Sequence, residues 1–363
     1  MLTPLRTKRF ALPIVLMVYH FCICIFAYRY AFSHKADANV YWFRTVSAEK
    51  VLDKISLPLR EHLLYSINYI LAEKMSLPFW FGFLLYATLG LMGILILIKI
   101  IRNITGKQQI HWIFLILLIL PSMHFWTSFI GKEPIVFLGL AMAFYALSQT
   151  KIHAVYLGVG LLLVGLIRPQ MAAIFIFCLG IAFLFYKSYW SWKYILFFGI
   201  LGLLVFIGLT QASWFDSFSL DAVQYYIDVH HKVLAKSDSY VPLEDYSWIY
   251  KIFTYYFRPL PGEIQGMMGW LQGFENLMLL AFFSAGVIAL ILNIRKHNFK
   301  LSLLESSIIL FFLVSAIILS LAYSNFGLIS RMKNMSMPFM LMICIHWILT
   351  YLNSTSYAKS KTN

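Results

Sequence analysis

Apolar residues fill most of the chain in long runs, and polar residues are confined to short breaks between them. Runs of about 20 residues are long enough to cross a bilayer as helices. The pattern predicts ten membrane helices, at roughly 10–31, 78–101, 110–130, 134–150, 153–167, 169–186, 193–211, 277–294, 303–323 and 333–352. Alternating ten-residue strands, the mark of a membrane barrel, are absent from the pattern. The expected fold is therefore an all-α polytopic transmembrane bundle, a single integral membrane domain over 1–363. Two connections are long, about 32–77 and about 212–276; the others are short. Within the first, "EKVLDKISLPLREHLLYSINYILAEKM" (49–75) repeats apolar residues at helical spacing around Pro58. It predicts amphipathic helices lying in the membrane interface. The second is rich in Trp and Tyr, which also favour that interface.

Composition agrees: 61% of the residues are hydrophobic and 12% charged, about half the charge of a soluble domain. The net charge of +14 is no sign of nucleic-acid binding, because the basic residues are scattered at the ends of apolar runs. That scatter sets topology instead. With both termini in the cytoplasm, about half of the basic residues, Arg6, Lys8, Arg9, Lys99, Arg102 and Lys107 among them, fall in short inside loops and tails. Of the acidic residues only Glu305 is then inside, so nearly every carboxylate able to do chemistry faces out. "GLIRPQMA" decides this orientation. Read as one helix, 154–186 would invert everything after it. Pro169 disfavours helical backbone at Arg168, and an arginine at mid-membrane is costly. Two short helices meeting at an outer turn are expected. Cys22, Cys24, Cys178 and Cys344 all lie in apolar runs, without disulfide or zinc spacing. The first run is too long for a signal peptide and lacks a small-residue cleavage site, so it is expected as a retained helix. The tail "STSYAKSKTN" is expected to fray.

Charged residues at the membrane edge are functional candidates, because placing them there costs free energy. Each also has a plainer reading. Asp37, in "KADANVYWFRT", is either a helix cap or a general base on an acceptor hydroxyl, with Tyr41 beside it as an acceptor-binding candidate. In "WTSFIGKEP", Glu133 before Pro134 suits a helix start. Lys132 suits it poorly, unless an anion binds there. Arg168 is either a snorkelling anchor or a bidentate phosphate clamp. Arg331 and Lys333, in "NFGLISRMKNMSMP", run against the positive-inside trend and are candidates for phosphate binding or anchoring. In the large loop, "YYIDVHHKVL" offers Asp228, His230, His231 and Lys232. Adjacent histidines diverge on a helix, so a shared metal is not expected, but one of them suits a general base. Arg258 and Glu263, in "YYFRPLPGE", suit a sugar-phosphate headgroup or interface anchoring. A divalent cation, Mg or Mn, at Asp37 and Glu133 is a further option.

"DANVY" soon after the first helix, the interfacial segment after it, "GKE" between helices three and four, and a large loop after helix seven resemble the GT-C-type membrane glycosyltransferases. "PSMHFWTSFIGKE", "IRPQ" and "SRMKNMSMP" are similar to bacterial O-antigen and exopolysaccharide polymerases. The resemblance implies a multi-pass enzyme of the bacterial inner membrane. It would move a glycan from a polyprenyl-phosphate or diphosphate donor to an acceptor hydroxyl on the outer face. It also implies membrane lipids and a glycan-assembly pathway as partners, with no nucleic acid. Asp37 and Glu133 would be the catalytic carboxylates, and Lys132, Arg168, Arg258 and Arg331 would hold the donor phosphate. A full DxD pair is absent, as is the soluble C-terminal domain of some relatives. The rival classes are a transporter or flippase for a lipid-linked glycan, and a non-catalytic membrane subunit.

Overall fold

The computed structural model describes residues 11–34, 36–43, 59–186, 196, 200, 202, 220–237, 239–297 and 299–362. The expected helix at 193–211 lies outside them apart from three isolated residues, as does all of 44–58. The chain is all-helical over the described residues, with a lone backbone bridge between Tyr240 and Asn325. Four helices are long and apolar enough to cross a membrane: Ala11–Ser33, Phe79–Thr105, Met267–Lys296 and Met337–Ser354. This is the character of a membrane protein. The other apolar helices are shorter, and by length alone the shortest would not span a hydrocarbon core about 30 Å thick.

The chain divides into two compact units. One takes in the described residues of 6–100 and 121–226. Its helices are α1 (Ala11–Ser33), α2 (Asp37–Phe43), α3 (Leu59–Tyr69, continued by a π-helical turn Ile70–Lys74), most of α4 (Phe79–Thr105), α6 (Pro121–Trp126), α7 (Glu133–Leu147), α8 (Ala154–Ile167) and α9 (Pro169–Leu184). The other takes in those of 101–120 and 227–363. It holds α5 (Phe114–Leu118), most of α10 (Leu220–Leu234), α11 (Trp248–Phe257), α12 (Met267–His297), α13 (Leu303–Leu319), α14 (Phe326–Lys333) and α15 (Met337–Thr362).

In the first unit α7 is apolar on every side and almost wholly buried, from Ile135 through Leu147. A helix hydrophobic all round belongs in an interior. It lies directly against α8, where Gly139 and Gly160 meet. A Cβ on Gly139 would stand 2.6 Å from the Gly160 carbonyl oxygen. Only glycine permits this approach, which supplies packing where hydrophobicity gives helices no preference for each other over lipid. Gly90 on α4 does the same for the turn after α6: a Cβ there would meet the Thr127 carbonyl at 2.1 Å.

Several boundaries correct the pattern reading. The run 110–130 is two short helices, with the chain non-helical again from Thr127 to Lys132. Pro121 has no amide hydrogen for a continuing helix, so it opens a new one. The helix expected at 277–294 begins at Met267, so the long connection before it is correspondingly shorter. Lys333 ends its own short helix, and the last long helix starts at Met337. That helix continues to Thr362, through the tail expected to fray. The break at "IRPQ" is as the sequence predicts: Arg168 has φ −141° and ψ 76°, ending α8 and preceding α9.

In the second unit α13 opens with a capping box, Ser302 and Glu305 each bonding the other's backbone amide. Glu305 also accepts from the Trp347 indole at 2.6 Å, tying α13 to α15. Tyr256 of α11 stacks on Phe312 of α13 with ring centres 3.7 Å apart, and its hydroxyl donates to the Phe312 carbonyl at 2.6 Å. All four cysteines are free thiols.

Candidate functional site

The first unit brings Tyr41, Lys132, Glu133 and Arg168 together. Lys132 and Glu133 stand at the start of α7, with Lys132 as N-cap and Glu133 and Pro134 as the first helical residues. Arg168 stands at the start of α9. One guanidinium nitrogen, Nη2, donates to Glu133 Oε1 at 2.7 Å. The pair is deep: Glu133 is 2% exposed and Arg168 8%. Its charges are retained at that depth because each neutralises the other, and the α7 N-terminus also favours the carboxylate. Lys132 is half-buried, with Nζ 6.0 Å from the centre of the Tyr41 ring. Gly131 fits between them: a Cβ there would lie 2.9 Å from Glu133 Oε2 and 4.0 Å from the Tyr41 ring. Asp37 begins α2 and is exposed. It precedes Tyr41 by one helical turn, so the two share a face of α2.

The result is a layered arrangement. A buried, mutually neutralised Arg168–Glu133 pair lies beneath a half-buried lysine and tyrosine, with an exposed carboxylate one turn away. Two helix N-termini supply partial positive charge to the same place. Chemically this suits an anion held by Lys132 and the helix ends, with Asp37 accepting a proton. Glu133 already meets a guanidinium, and among the described residues no three His, Cys, Asp or Glu side chains come together.

The remaining sequence candidates belong to the second unit. Arg258 is held by Glu263, its Nε donating to both carboxylate oxygens at 2.8 and 3.0 Å and its Nη2 at 2.7 Å. It also lies over the Tyr250 and Phe326 rings. Burial alone would lower its pKa; Glu263 and Tyr246 outweigh that and raise it. Arg331 is half-buried on α14. His230 and His231 sit near the end of α10. His231 uses both ring nitrogens: Nδ1 lies 2.9 Å from Glu244 Oε2 and Nε2 2.8 Å from the Leu321 carbonyl. His230 packs edge-on to Tyr323, with ring centres 5.8 Å apart. Asp228 and Lys232 are exposed.

The structure adds a buried histidine pair that the pattern reading did not single out, and shows how deep one of its candidate lysines lies. His20 of α1 and His124 of α6 are fully buried with their Nδ1 atoms 2.9 Å apart. His20 Nε2 lies 2.9 Å from the Ala87 carbonyl, which can only accept. In the neutral pair, His20 therefore donates from Nε2 and accepts at Nδ1 from His124. The pair ties the helix leading towards Asp37 to the one leading towards Lys132. A histidine inside each apolar run was the available signal. Lys333 is also fully buried, donating to Asn276 Oδ1 and lying 3.5 Å from the Tyr256 carbonyl. Its sequence neighbour Arg331 had seemed its equal.

No protein-family profile, no curated protein and no solved structure matches the chain.

Proposed function

We infer that the chain is a membrane glycosyltransferase or polysaccharide polymerase. It takes a glycan from a polyprenyl-phosphate or diphosphate donor and passes it to an acceptor hydroxyl, on the outer face of a bacterial inner membrane. One observation carries this reading: Tyr41, Lys132, Glu133 and Arg168 converge at the N-termini of two short apolar helices, with Asp37 one turn from Tyr41. A lipid-linked phosphate needs that combination of a cation, helix N-termini and adjoining apolar surface.

In this reading Asp37 takes the proton from the acceptor hydroxyl as the new glycosidic bond forms. The electron pair of the breaking bond leaves on the donor phosphate. Lys132 and the helix ends stabilise that charge as it develops. Arg168 and Glu133 act together: the buried carboxylate fixes the guanidinium, and their pairing holds the starts of α7 and α9 in register.

The test is complementation of surface-glycan synthesis by Asp37→Asn and Lys132→Gln, with membrane levels matched by blot and the sidedness of lipid-linked precursor measured. Loss of glycan with precursor on the outer leaflet is expected. Precursor trapped on the inner leaflet would show a translocator instead. Normal glycan from both variants would sink the site.

A further inference from the structure

His231 lies between two groups that only accept hydrogen bonds. Glu244 Oε2 faces Nδ1 at 2.9 Å, and the Leu321 carbonyl faces Nε2 at 2.8 Å. A neutral imidazole carries one N–H and satisfies one of them; the imidazolium satisfies both. We propose that protonated His231 is a pH-sensitive clasp that holds α10 to the Leu243–Asp245 turn and to the turn between α13 and α14. The clasp is a regulatory device of the second unit and stands whether or not the transferase reading does.

The surroundings are built for a charged ring. Glu244 also accepts from the Tyr240 hydroxyl. Burial alone would raise the Glu244 pKa, but the bond from Tyr240 and the charge of His231 bring it down, so the carboxylate stays ionised. Burial lowers the pKa of His230; a backbone bond to Ala322 opposes this and the charge of His231 adds to it. The other titratable groups nearby are Asp245 beside Glu244, Tyr323 against the His230 ring, and Asp228 and Lys232 on α10.

The clasp leads to α14. Asn325 bonds the hydroxyls of Ser237 and Ser239 at 2.6 and 2.8 Å and caps α14 through Gly327 and Leu328. Val241 donates to the Ser324 carbonyl at 2.9 Å. Loosening His231 therefore weakens one end of the seam that sets the position of Arg331 and Lys333. The sign is fixed by the bonding. The imidazolium bonds both acceptors and the neutral ring only one, so the clasp is complete at low pH and loses a bond as pH rises.

Hydrogen exchange of the full chain in lipid nanodiscs reads this directly, at about pH 5.5 and about pH 8, on either side of the ordinary histidine range. After correction for intrinsic rates, peptides covering 227–245 and 320–326 should exchange roughly three- to tenfold faster at the higher pH, the size expected for one charge-assisted bond to a half-exposed carboxylate. His231→Gln should abolish the difference. Glu244→Gln, which removes the charge but keeps a carbonyl for Tyr240, should raise low-pH exchange towards the high-pH level. Equal protection of wild type at both pH values would overturn the clasp. So would an undiminished pH difference in either variant.

Discussion

Removing Arg168 while leaving Glu133 would take the guanidinium from a carboxylate that is 2% exposed. Breaking a buried pair by removing one partner costs about 3–5 kcal/mol. Removing both charges is different. Replacing a buried ion pair with neutral groups of similar volume is often neutral or stabilising, because the desolvation of two ions disappears with their attraction. The prediction is a strongly non-additive cycle. Arg168→Met alone should lower the unfolding temperature by roughly 6–20 °C, taking about 2–4 °C per kcal/mol for a unit of this size. Adding Glu133→Gln should restore most of that loss. Fluorescence-detected size-exclusion after a heat step, run on all four members in one detergent, measures it. The same four proteins tested for glycan synthesis separate folding from chemistry, since a restored but inactive double variant places the pair in the function. If Arg168→Met is no less stable than the double variant, the 2.7 Å contact does not hold the two charges as a coupled buried pair and the layered site is misread.

Two further substitutions test local packing, one in each unit. Gly139→Val puts a branched side chain against the Gly160 carbonyl, where a Cβ alone would already be 2.6 Å away. It should destabilise the first unit by about 1–3 kcal/mol and lower membrane levels on a blot, whereas Gly158→Val on α8, with open space at its Cβ, should not. Asn325→Ala removes the α14 cap and the bonds to two serine hydroxyls, at a cost of about 1–2 kcal/mol. Asn325→Asp keeps the cap acceptors and should recover more than half of it in a thermal-shift measurement.

The helix pattern was legible wherever apolar length and a proline agreed. Pro169 marks the break after Arg168, and Pro134 marks a helix start. Pro121 was just as available but lay inside a run apolar enough to read through, so two short helices looked like one. The start of α12 was hidden for the opposite reason: Gln272, Glu275 and Asn276 make its first turns look like loop, and their helicity is set by tertiary partners. Lys333 reaches Asn276, and Gln272 reaches Ser330. Site residues were legible one at a time, because a charge at the edge of an apolar run stands out. Their pairing was not. Glu133 and Arg168 are separated by two helices in the chain, and nothing in either segment says that one guanidinium seeks that carboxylate. Arg258 shows the same limit: its neighbour in the turn, Glu263, occupies the fork that a phosphate would have taken.

Helix length explains why the candidate site lies where it does. At 1.5 Å per residue, α7, α8 and α9 are about 21–24 Å long, shorter than a hydrocarbon core of about 30 Å. In a membrane such helices end below the surface unless the bilayer thins. The polar residues at their ends are then recessed as well. A recessed Glu133 and Arg168 must be paired, since neither reaches water alone. Lys132, with a flexible stem and a half-buried position, can direct its ammonium towards the interface past Tyr41. Reaching outward in this way brings the Lys132 ammonium to the level of a lipid phosphate, beside the exposed Asp37 at the start of α2. A donor held in the bilayer and an acceptor arriving from solution would then meet at one short vertical step. On the transferase reading, thickening the bilayer should matter: in nanodiscs of longer-chain lipid the protein should transfer less glycan from a lipid-linked donor, with Lys132→Arg, one bond longer in reach, less affected than wild type. Equal donor use across lipid lengths would mean that the short helices are embedded wholly in protein, and that the site's depth has no part in choosing its substrate.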